Sequence, residues 1–273
     1  MCYFTSMEKY GVKIKQKLFV FLCVVLLGFP FPVQAHGIHF YAGNLPPFII
    51  LRPDGPPTGF AVDLLRDVLQ AAGESFYPDN IEVTNWARAV TEVETLPGKA
   101  LLCLALFPER RDKFKWVGPI DVMAMGVFAP KMRGISIVDG AELKKYRIGM
   151  VRNTAPVKIL LGKYPGIDKS MVLLSSIVTQ LRMLEEGRVD LVVQAPLAIR
   201  QLMREQGMAS DEYPMVYAFE SMSLYFGFNK ATDDDYIARL QAGLDRLKVR
   251  DANGTSRYER LRALYFPSRD SEN

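Results

Sequence analysis

Beyond residue 36, short apolar runs alternate along the chain with amphipathic stretches, and this alternation limits the fold more than any other feature. Residues 100–106 form a continuous apolar run typical of a buried strand, whereas apolar residues between 60 and 69 recur at the spacing of a helix face. The alternation predicts an α/β fold. Strands are predicted at 37–42, 81–84, 100–106, 123–129, 147–151, 171–174, 191–193 and 223–228. Helices are predicted at 60–72, 86–95, 141–145, 154–163, 177–186, 196–205, 233–248 and 255–264.

The first 35 residues have the pattern of a secretory signal peptide. Four lysines precede an apolar run of twelve residues at 18–29, and Val33-Gln34-Ala35 supplies small residues at the cleavage point. A membrane anchor is the alternative, but twelve helical residues span only about 18 Å, against about 30 Å of hydrocarbon. We therefore expect cleavage after Ala35, export to the periplasm, and a true start at Met1 or Met7.

The net charge of +4 resides mostly in this leader, which carries four lysines and one glutamate. The remaining 238 residues keep a net charge of +1, so their composition gives no basis for binding nucleic acid or a membrane surface. A chain of that length is long enough to form two lobes, each with its own core.

Cysteines and histidines are too few for most catalytic or metal sites. Cys2 and Cys23 lie in the leader, which leaves Cys103 alone within a predicted strand. A single cysteine forms no intramolecular disulfide, and we expect Cys103 to be a buried free thiol. His36 and His39 are the only histidines. A histidine-based catalytic triad or a zinc site therefore has almost no residues to build on, and we expect no metal, no cofactor and no catalysis.

The charged turn after the apolar run at 100–106 contains the first candidate ligand residue. Arg110 lies just beyond Phe107, at the carboxyl end of a predicted buried strand, where open α/β sheets bind ligands. A guanidinium can present two parallel N–H donors to a carboxylate. The alternative is a solvated charged turn without a ligand role. In the ligand hypothesis, we expect the Arg110 side chain to face an open, solvated cleft.

A second candidate lies where the predicted strand at 147–151 meets the predicted helix at 154–163. Thr154, next to Asn153, is predicted to cap this helix, and free backbone N–H groups at a helix start attract anions. Ordinary capping without any ligand is the alternative. Tyr41, Phe48 and Trp86 fall at loop or strand ends and are candidate walls of a pocket, with a core position as the alternative for each.

Several short motifs follow one another in a characteristic order along the chain. They are Asn44-Leu45-Pro46-Pro47-Phe48, Thr58-Gly59-Phe60-Ala61-Val62-Asp63-Leu64-Leu65, Glu109-Arg110-Arg111, Arg147-Ile148-Gly149, Gly187-Arg188-Val189-Asp190 and Tyr225-Phe226-Gly227-Phe228. Their order and spacing resemble those of the family 3 (polar amino acid type) extracellular solute-binding proteins of ABC transporters. The resemblance covers about residues 38 to 266.

This resemblance implies the type II periplasmic binding protein fold, an α/β fold of two lobes. Each lobe would be a mixed sheet flanked by helices, and two crossover strands would join the lobes around a ligand cleft. Lobe 1 would be 36–128 plus 226–273, and lobe 2 would be 129–225. The carboxylate-binding arginine of the family corresponds to Arg110, and its companion anion site to Asn153 and Thr154. The expected ligand residues are Asn44, Phe48, Trp86, Phe107, Arg110, Asn153, Thr154 and Gln194.

Two positions depart from the pattern of the family. Amino-acid binders usually have Ser or Thr three residues before the arginine, where this chain has Phe107. They also have an acid on the loop where this chain reads Gln194-Ala195-Pro196. A buried ammonium group without an anion is costly, so a standard α-amino acid is a poor candidate ligand. Gln194 can orient a neutral polar group instead.

The leading functional hypothesis is a monomeric periplasmic protein that captures a small, carboxylate-bearing solute by hinge closure. Its protein partner would be a separate membrane permease or a sensor. A dehydratase-like enzyme on the same fold is one alternative, and it would need an acid directed into the cleft. A module that has lost ligand binding and serves only in protein interactions is another. None of the acids near the motifs is a good candidate for that catalytic role; these acids are Asp63, Asp67, Glu109 and Asp112.

Overall fold

The computed structural model describes residues 37–266, so the predicted leader lies outside the described residues. The strands are β1 His39–Ala42, β2 Ile81–Val83, β3 Lys99–Ala105, β4 Phe114–Phe128, β5 Ile148–Val151, β6 Met171–Leu174, β7 Leu191–Gln194 and β8 Met215–Asn229. The helices are α1 Phe60–Ala71, α2 Trp86–Thr95, α3 Ala155–Lys163, α4 Ile177–Glu185, α5 Pro196–Glu205, α6 Asp234–Lys248 and α7 Arg257–Tyr265. Between residues 37 and 266, none of the helices has the length and apolar character that crossing a bilayer requires.

The eight strands form one mixed sheet in the order β2-β1-β3-β8-β4-β7-β5-β6. At one end β1 runs parallel to β2 and β3, and at the other end β5 runs parallel to β6 and β7. The two long central strands, β4 and β8, are antiparallel to each other and connect the two parallel halves. The predicted α/β class with two crossover strands is confirmed.

Strands β4 and β8 are much longer than the sequence pattern predicted. Each has fifteen residues, whereas strands were predicted only at 123–129 and 223–228. Gly118, Pro119 and Asp121 interrupt the apolar pattern of β4 and are typical of turns. The two strands pair on both sides of this interruption, and the register of their pairing shifts across it. Pairing across the sheet therefore overrides the local preference of these residues for a turn.

The helix predicted at 141–145 is a 3₁₀ helix in the structure and spans Gly140–Lys145.

Helix α1 begins against the loop that the first two sequence motifs form. The backbone N–H groups of Phe60 and Ala61 donate to the carbonyl oxygens of Pro47 and Phe48, at 3.0 and 2.9 Å. These carbonyls replace a side-chain cap, which the preceding residue, Gly59, does not have. The motif pair 44–48 and 58–65 is thus a loop folded onto a helix start.

Asp190 fixes the start of β5 in the second half of the sheet. Its carboxylate accepts hydrogen bonds from the backbone and guanidinium of Arg147 and also pairs with Arg133. These bonds, led by those from the Arg147 side chain, lower the pKa of Asp190 to about 2. The motif at 187–190 is therefore structural, because its carboxylate is occupied by two arginines.

Candidate ligand-binding site

A cavity of about 450 Å³ lies where the carboxyl ends of strands from both halves of the sheet meet. Residues after β1, β2 and β3 line one side of it, and residues after β5, β6 and β7 line the other. The long strands β4 and β8 form the wall between the two sides. Ligands of α/β proteins bind at this position, beyond the carboxyl ends of the strands. The volume is in the range of small-molecule pockets.

Most of the cavity wall is apolar. Met123 and Met125 on β4 and Met222 on β8 line its central part, and Met123 is paired with Met222 across the two strands. Methionine side chains are unbranched and polarisable, so they adapt to irregular apolar shapes. The other apolar lining residues are Leu45, Ile49, Leu51, Val83, Trp86, Cys103, Ala105, Val151, Ala155, Pro156, Ile177, Val178, Val193, Leu202 and Leu224.

Arg110 lines the cavity but is buried, with only 6 % of its surface exposed. It lies on the 3₁₀ helix Pro108–Lys113, directly after β3. Its Nη2 donates to the Asn153 carbonyl oxygen at 2.6 Å, and its guanidinium stacks over the Phe107 ring at 4.5 Å. The expectation of an open, solvated position is wrong, because residues from the other half of the sheet cover this side chain.

The charge of Arg110 has no anionic partner among residues 37–266. Its hydrogen bonds go to two backbone carbonyls, those of Asn153 and, at 3.5 Å, Ala105. Burial lowers the pKa of Arg110 to about 10, so the side chain is still a cation at neutral pH. A desolvated cation at a cavity wall without an anionic partner is electrostatically costly, and an anion placed in the cavity would stabilise it.

Asn153 and Thr154 occupy the turn between β5 and α3. Asn153 has a left-handed backbone with φ of 61°, which asparagine tolerates better than most residues. Thr154 lines the cavity, but its hydroxyl donates to the Val151 carbonyl oxygen at 2.7 Å and makes no bond to a helix N–H group. Thr154 is thus the N-cap residue, as predicted, but its side chain does not cap the helix. In the described hydrogen bonding the backbone amides of Ala155 and Val157, at the start of α3, have no acceptor.

Three hydrogen bonds cross the cavity mouth from one half of the sheet to the other. Trp86 Nε1 donates to the same Asn153 carbonyl oxygen that Arg110 contacts, at 3.2 Å. Asn85, which caps α2, donates from its Nδ2 to the Ser175 carbonyl oxygen at 2.8 Å. The turns after β2, β3, β5 and β6 are thus held together around the cavity.

Gln194 lies at the end of β7 and belongs to a buried amide pair. Gln180, on α4, donates from Nε2 to the Gly149 carbonyl oxygen at 2.7 Å and to the Val193 carbonyl oxygen at 3.4 Å. Its Oε1 accepts from Gln194 Nε2 at 2.8 Å. Gln194 lines the cavity and is only 7 % exposed, and its Oε1 makes no hydrogen bond with residues 37–266.

The structure brings five of the eight sequence-predicted ligand residues to one cavity. Phe48 is instead in the core, where it packs against Phe60 and Phe266. Phe107 lies under the Arg110 guanidinium, and Asn153 contributes its carbonyl oxygen to the bonds at the mouth; neither side chain lines the cavity. The five residues at the cavity are Asn44, Trp86, Arg110, Thr154 and Gln194.

Sequence reasoning missed two groups of cavity residues. Ser175 and Ser176 follow β6 in the same way that residues 152–154 follow β5, so the rule that ligands bind beyond strand ends could have found them. The three methionines lie within strands rather than after their ends, so this rule does not find them. The sequence also did not show that β4 and β8 pair to form one wall of the cavity.

No aspartate or glutamate between residues 37 and 266 lines the cavity. Asp63 accepts a hydrogen bond from the Tyr265 hydroxyl, and Asp67 pairs with Arg257 at 2.8 Å. Glu109 and Asp112 flank Arg110 in sequence but are exposed. The four acids considered for a catalytic role thus lie outside the cavity wall.

The sequence matches no protein-family model and no curated protein. Solved structures do match the fold. A histidine kinase sensor domain with similarity to periplasmic binding proteins gives a TM-score of 0.73 at 19 % identity, over 85 % of this chain and 96 % of that domain. The arginine-, lysine-, histidine-binding protein ArtJ from Geobacillus stearothermophilus gives 0.68 at 16 % identity, over 84 % and 95 %. The substrate-binding protein of an amino acid ABC transporter gives 0.67 at 15 %, over 85 % and 100 %.

This chain has the two-lobed fold of periplasmic binding proteins. All of these neighbours are binding proteins or sensor domains. At identities below 20 % the similarity establishes the fold, whereas the ligand has to be argued from the cavity itself.

Proposed function

We propose that this protein is a periplasmic solute-binding protein of the polar amino acid type, which captures a small carboxylate-bearing solute and closes around it. The observation that supports the proposal most directly is Arg110, a buried cation with no anionic partner in residues 37–266, at the wall of a cavity. A ligand carboxylate that accepts two of its N–H groups would supply the missing anion.

The start of α3 adds a second positive feature to the same region. The amides of Ala155 and Val157 are without an acceptor, and Ala155 lines the cavity with Arg110. The helix dipole favours negative charge at this end. The start of α1, by contrast, is occupied by the carbonyls of Pro47 and Phe48. The anion-attracting groups are therefore concentrated on one side of the cavity.

Closure would follow from the arrangement of the long strands. We propose lobe 1 as 36–128 plus 226–273 and lobe 2 as 129–225, so that the chain passes between the lobes at the end of β4 and within β8, where the hinge would lie. A ligand that contacts both lobes only in the closed form shifts the population towards that form. The protein would act as a monomer in the periplasm and deliver the solute, or its signal, to a separate permease or sensor.

The first experiment is a thermal-shift screen followed by calorimetric titration of Arg110 variants. A ligand at 100 times its dissociation constant stabilises the folded protein by about 2.7 kcal/mol, which is readily detected. With a carboxylate that the screen identifies, Arg110→Ala should weaken binding by about 2–5 kcal/mol, because the ligand anion loses its buried partner. Arg110→Lys should restore little of this, since an ammonium cannot offer two parallel donors.

Arg111→Ala is the matched control. Arg111 is exposed, and Trp116 Nε1 donates to its backbone carbonyl oxygen at 2.9 Å, a bond that alanine retains. Its affinity should equal that of the wild type. An Arg110→Ala variant that folds and binds the carboxylate as tightly as the Arg111→Ala control would refute the proposed function.

A further inference from the structure

The polar groups of the cavity also limit the chemical class of the ligand. We infer that the solute is a carboxylate with an apolar body and a neutral hydrogen-bond donor, such as a hydroxyl, in place of the ammonium group of an amino acid. This inference rests on the proposed function, because it places the carboxylate at Arg110. It adds what the rest of the cavity would accept.

An ammonium group would find no counter-charge at this cavity. None of its lining residues between 37 and 266 is an aspartate or glutamate, and the one charged side chain, Arg110, is itself a cation. A buried ammonium would therefore be desolvated beside a like charge, and such a charge is costly unless it is paired. The cavity disfavours a zwitterion while it accepts an anion.

Gln194 replaces the missing carboxylate with a neutral acceptor, and its orientation is fixed by its neighbours. Because Gln180 Nε2 donates to the backbone carbonyls of Gly149 and Val193, the Gln180 Oε1 must be an acceptor. Gln194 Nε2 must then be the donor to Gln180 Oε1, which leaves Gln194 Oε1 unpaired among the described residues. This oxygen is accessible from the cavity and offers an acceptor to an N–H or O–H group of the ligand.

The remaining wall determines the body of the ligand. Met123, Met125 and Met222 form the central surface, and Trp86 supplies a flat aromatic wall beside Arg110. None of these groups can satisfy further polar atoms well, whereas each favours burial of aliphatic or aromatic carbon. The cavity therefore suits a branched aliphatic or aromatic side group. Aliphatic and aromatic 2-hydroxy acids combine all three features in one small molecule.

The test compares ligands of equal shape by calorimetry with wild-type protein. The aliphatic set is 2-hydroxy-4-methylpentanoate, L-leucine and 4-methylpentanoate; the aromatic set is 3-phenyllactate, L-phenylalanine and 3-phenylpropionate. In at least one set, the hydroxy acid should bind at least about 10-fold more tightly than the amino acid. It should also bind about 10-fold more tightly than the acid without a hydroxyl, because that ligand leaves Gln194 Oε1 unpaired.

Variants identify the group responsible for the discrimination. Gln194→Leu removes the acceptor, so the difference between the hydroxy acid and the deoxy acid should fall to less than about 2-fold. Gln201→Leu, on the outer part of α5, should keep the full difference. If Gln194→Leu fails to fold because Gln180 loses its donor, the wild-type comparison still decides the inference.

Two results would overturn the inference. The first is an amino acid that binds as tightly as its matched hydroxy acid. In that case the proposed function would still stand if Arg110→Ala weakened binding of the amino acid. The second is that none of the six probes binds. The proposed function would then be decided by the wider thermal-shift screen and by titration of the Arg110 variants.

Discussion

Cys103 has an unusual backbone for its position in a buried strand. Its φ is 57°, and the pairing of β3 with β8 shifts register between Leu101 and Leu104. This bulge places Leu102 and Cys103 on the same side of the sheet, although neighbouring strand residues normally alternate. Cys103 and Ala105 therefore face the cavity, while Leu101 and Leu104 pack against α2.

Cys103 should resist thiol reagents in the folded protein. It is only 4 % exposed and forms no disulfide, and burial raises the pKa of its thiol well above the ordinary value. Little thiolate is then available even near pH 9, where an unfolded cysteine is largely ionised. Labelling by iodoacetamide, followed by peptide mass spectrometry, should be at least about 100-fold slower in native buffer than in guanidinium chloride.

Met132→Cys in a Cys103→Ala background is the control, because Met132 is 92 % exposed. This cysteine should label rapidly in native buffer, at a rate close to that in denaturant. Equally rapid labelling of native Cys103 would mean that the β3 bulge does not bury the thiol.

Single residues also show how far sequence reasoning could go at the site. Arg110 was predicted as a ligand residue because it follows a buried strand, which is a local property of the sequence. Its burial could not be predicted, because Asn153 covers it and lies 43 residues away along the chain. Tyr41, Phe48 and Trp86 were equally plausible pocket walls by sequence, yet only Trp86 lines the cavity, because local pattern does not distinguish core from cavity.

At the scale of elements, the starts of α1 and α3 differ in how their backbone donors are satisfied. The first backbone N–H groups of α1 donate to carbonyl oxygens of the loop at 44–48. These carbonyls must therefore lie close to Gly59. A Cβ atom at Gly59 would lie 2.6 Å from the Phe48 carbonyl oxygen, and the φ of 117° is itself unfavourable for other residues. Glycine at this position is therefore a requirement of the loop-to-helix contact.

Gly59→Ala should destabilise the protein by about 2–3 kcal/mol, because it combines backbone strain with a clash against main-chain atoms. Gly73→Ala, where φ is 78° but no atom lies within 4 Å, should cost only about 1 kcal/mol. Gly162→Ala, in α3 with open space around it, should stabilise by about 0.5–1 kcal/mol. Urea denaturation followed by circular dichroism measures all three. Equal effects of Gly59→Ala and Gly73→Ala would show that the loop does not press on the helix start.

Most helices and short strands were predictable, because their apolar periodicity reflects local burial. Helix α2, for example, was predicted at 86–95 and occupies Trp86–Thr95. Strands β4 and β8 were not predicted at full length, because Gly118-Pro119 in β4 and Glu220-Ser221 in β8 interrupt the apolar pattern. Their extension depends on pairing with each other across about 100 residues of sequence. Since these strands form the cavity wall, the methionine surface was missed with them.

At the scale of the whole molecule, three hydrogen bonds within residues 37–266 join the two sides of the cavity at its mouth. Asn85, Trp86 and Arg110 on one side donate to the carbonyls of Asn153 and Ser175 on the other. A hydrogen bond contributes about 0.5–1.5 kcal/mol, so three of them would allow the proposed open and closed forms to interconvert without locking either. A ligand that touches both sides would then tip this balance.

Trp86→Phe should shift this balance towards the open form. Phenylalanine keeps an aromatic wall for the cavity but lacks the Nε1–H group that donates to the Asn153 carbonyl oxygen. The loss of about 1 kcal/mol lowers the ratio of closed to open molecules about 5-fold and weakens ligand binding by up to the same factor. Small-angle scattering should give a larger radius of gyration for the ligand-free variant than for the ligand-free wild type, and saturating ligand should remove the difference.

Trp116→Phe provides a matched control, because it removes the same group from a bond that does not cross the cavity. Trp116 Nε1 donates to the Arg111 carbonyl oxygen at 2.9 Å, five residues away along the chain. This variant should lose a similar amount of stability against urea while its radius of gyration and ligand affinity stay at wild-type values. If both variants change the scattering equally, the effect is a general loosening of the fold. If neither does, the bond between Trp86 and Asn153 does not control closure, and the hinge equilibrium depends on other contacts.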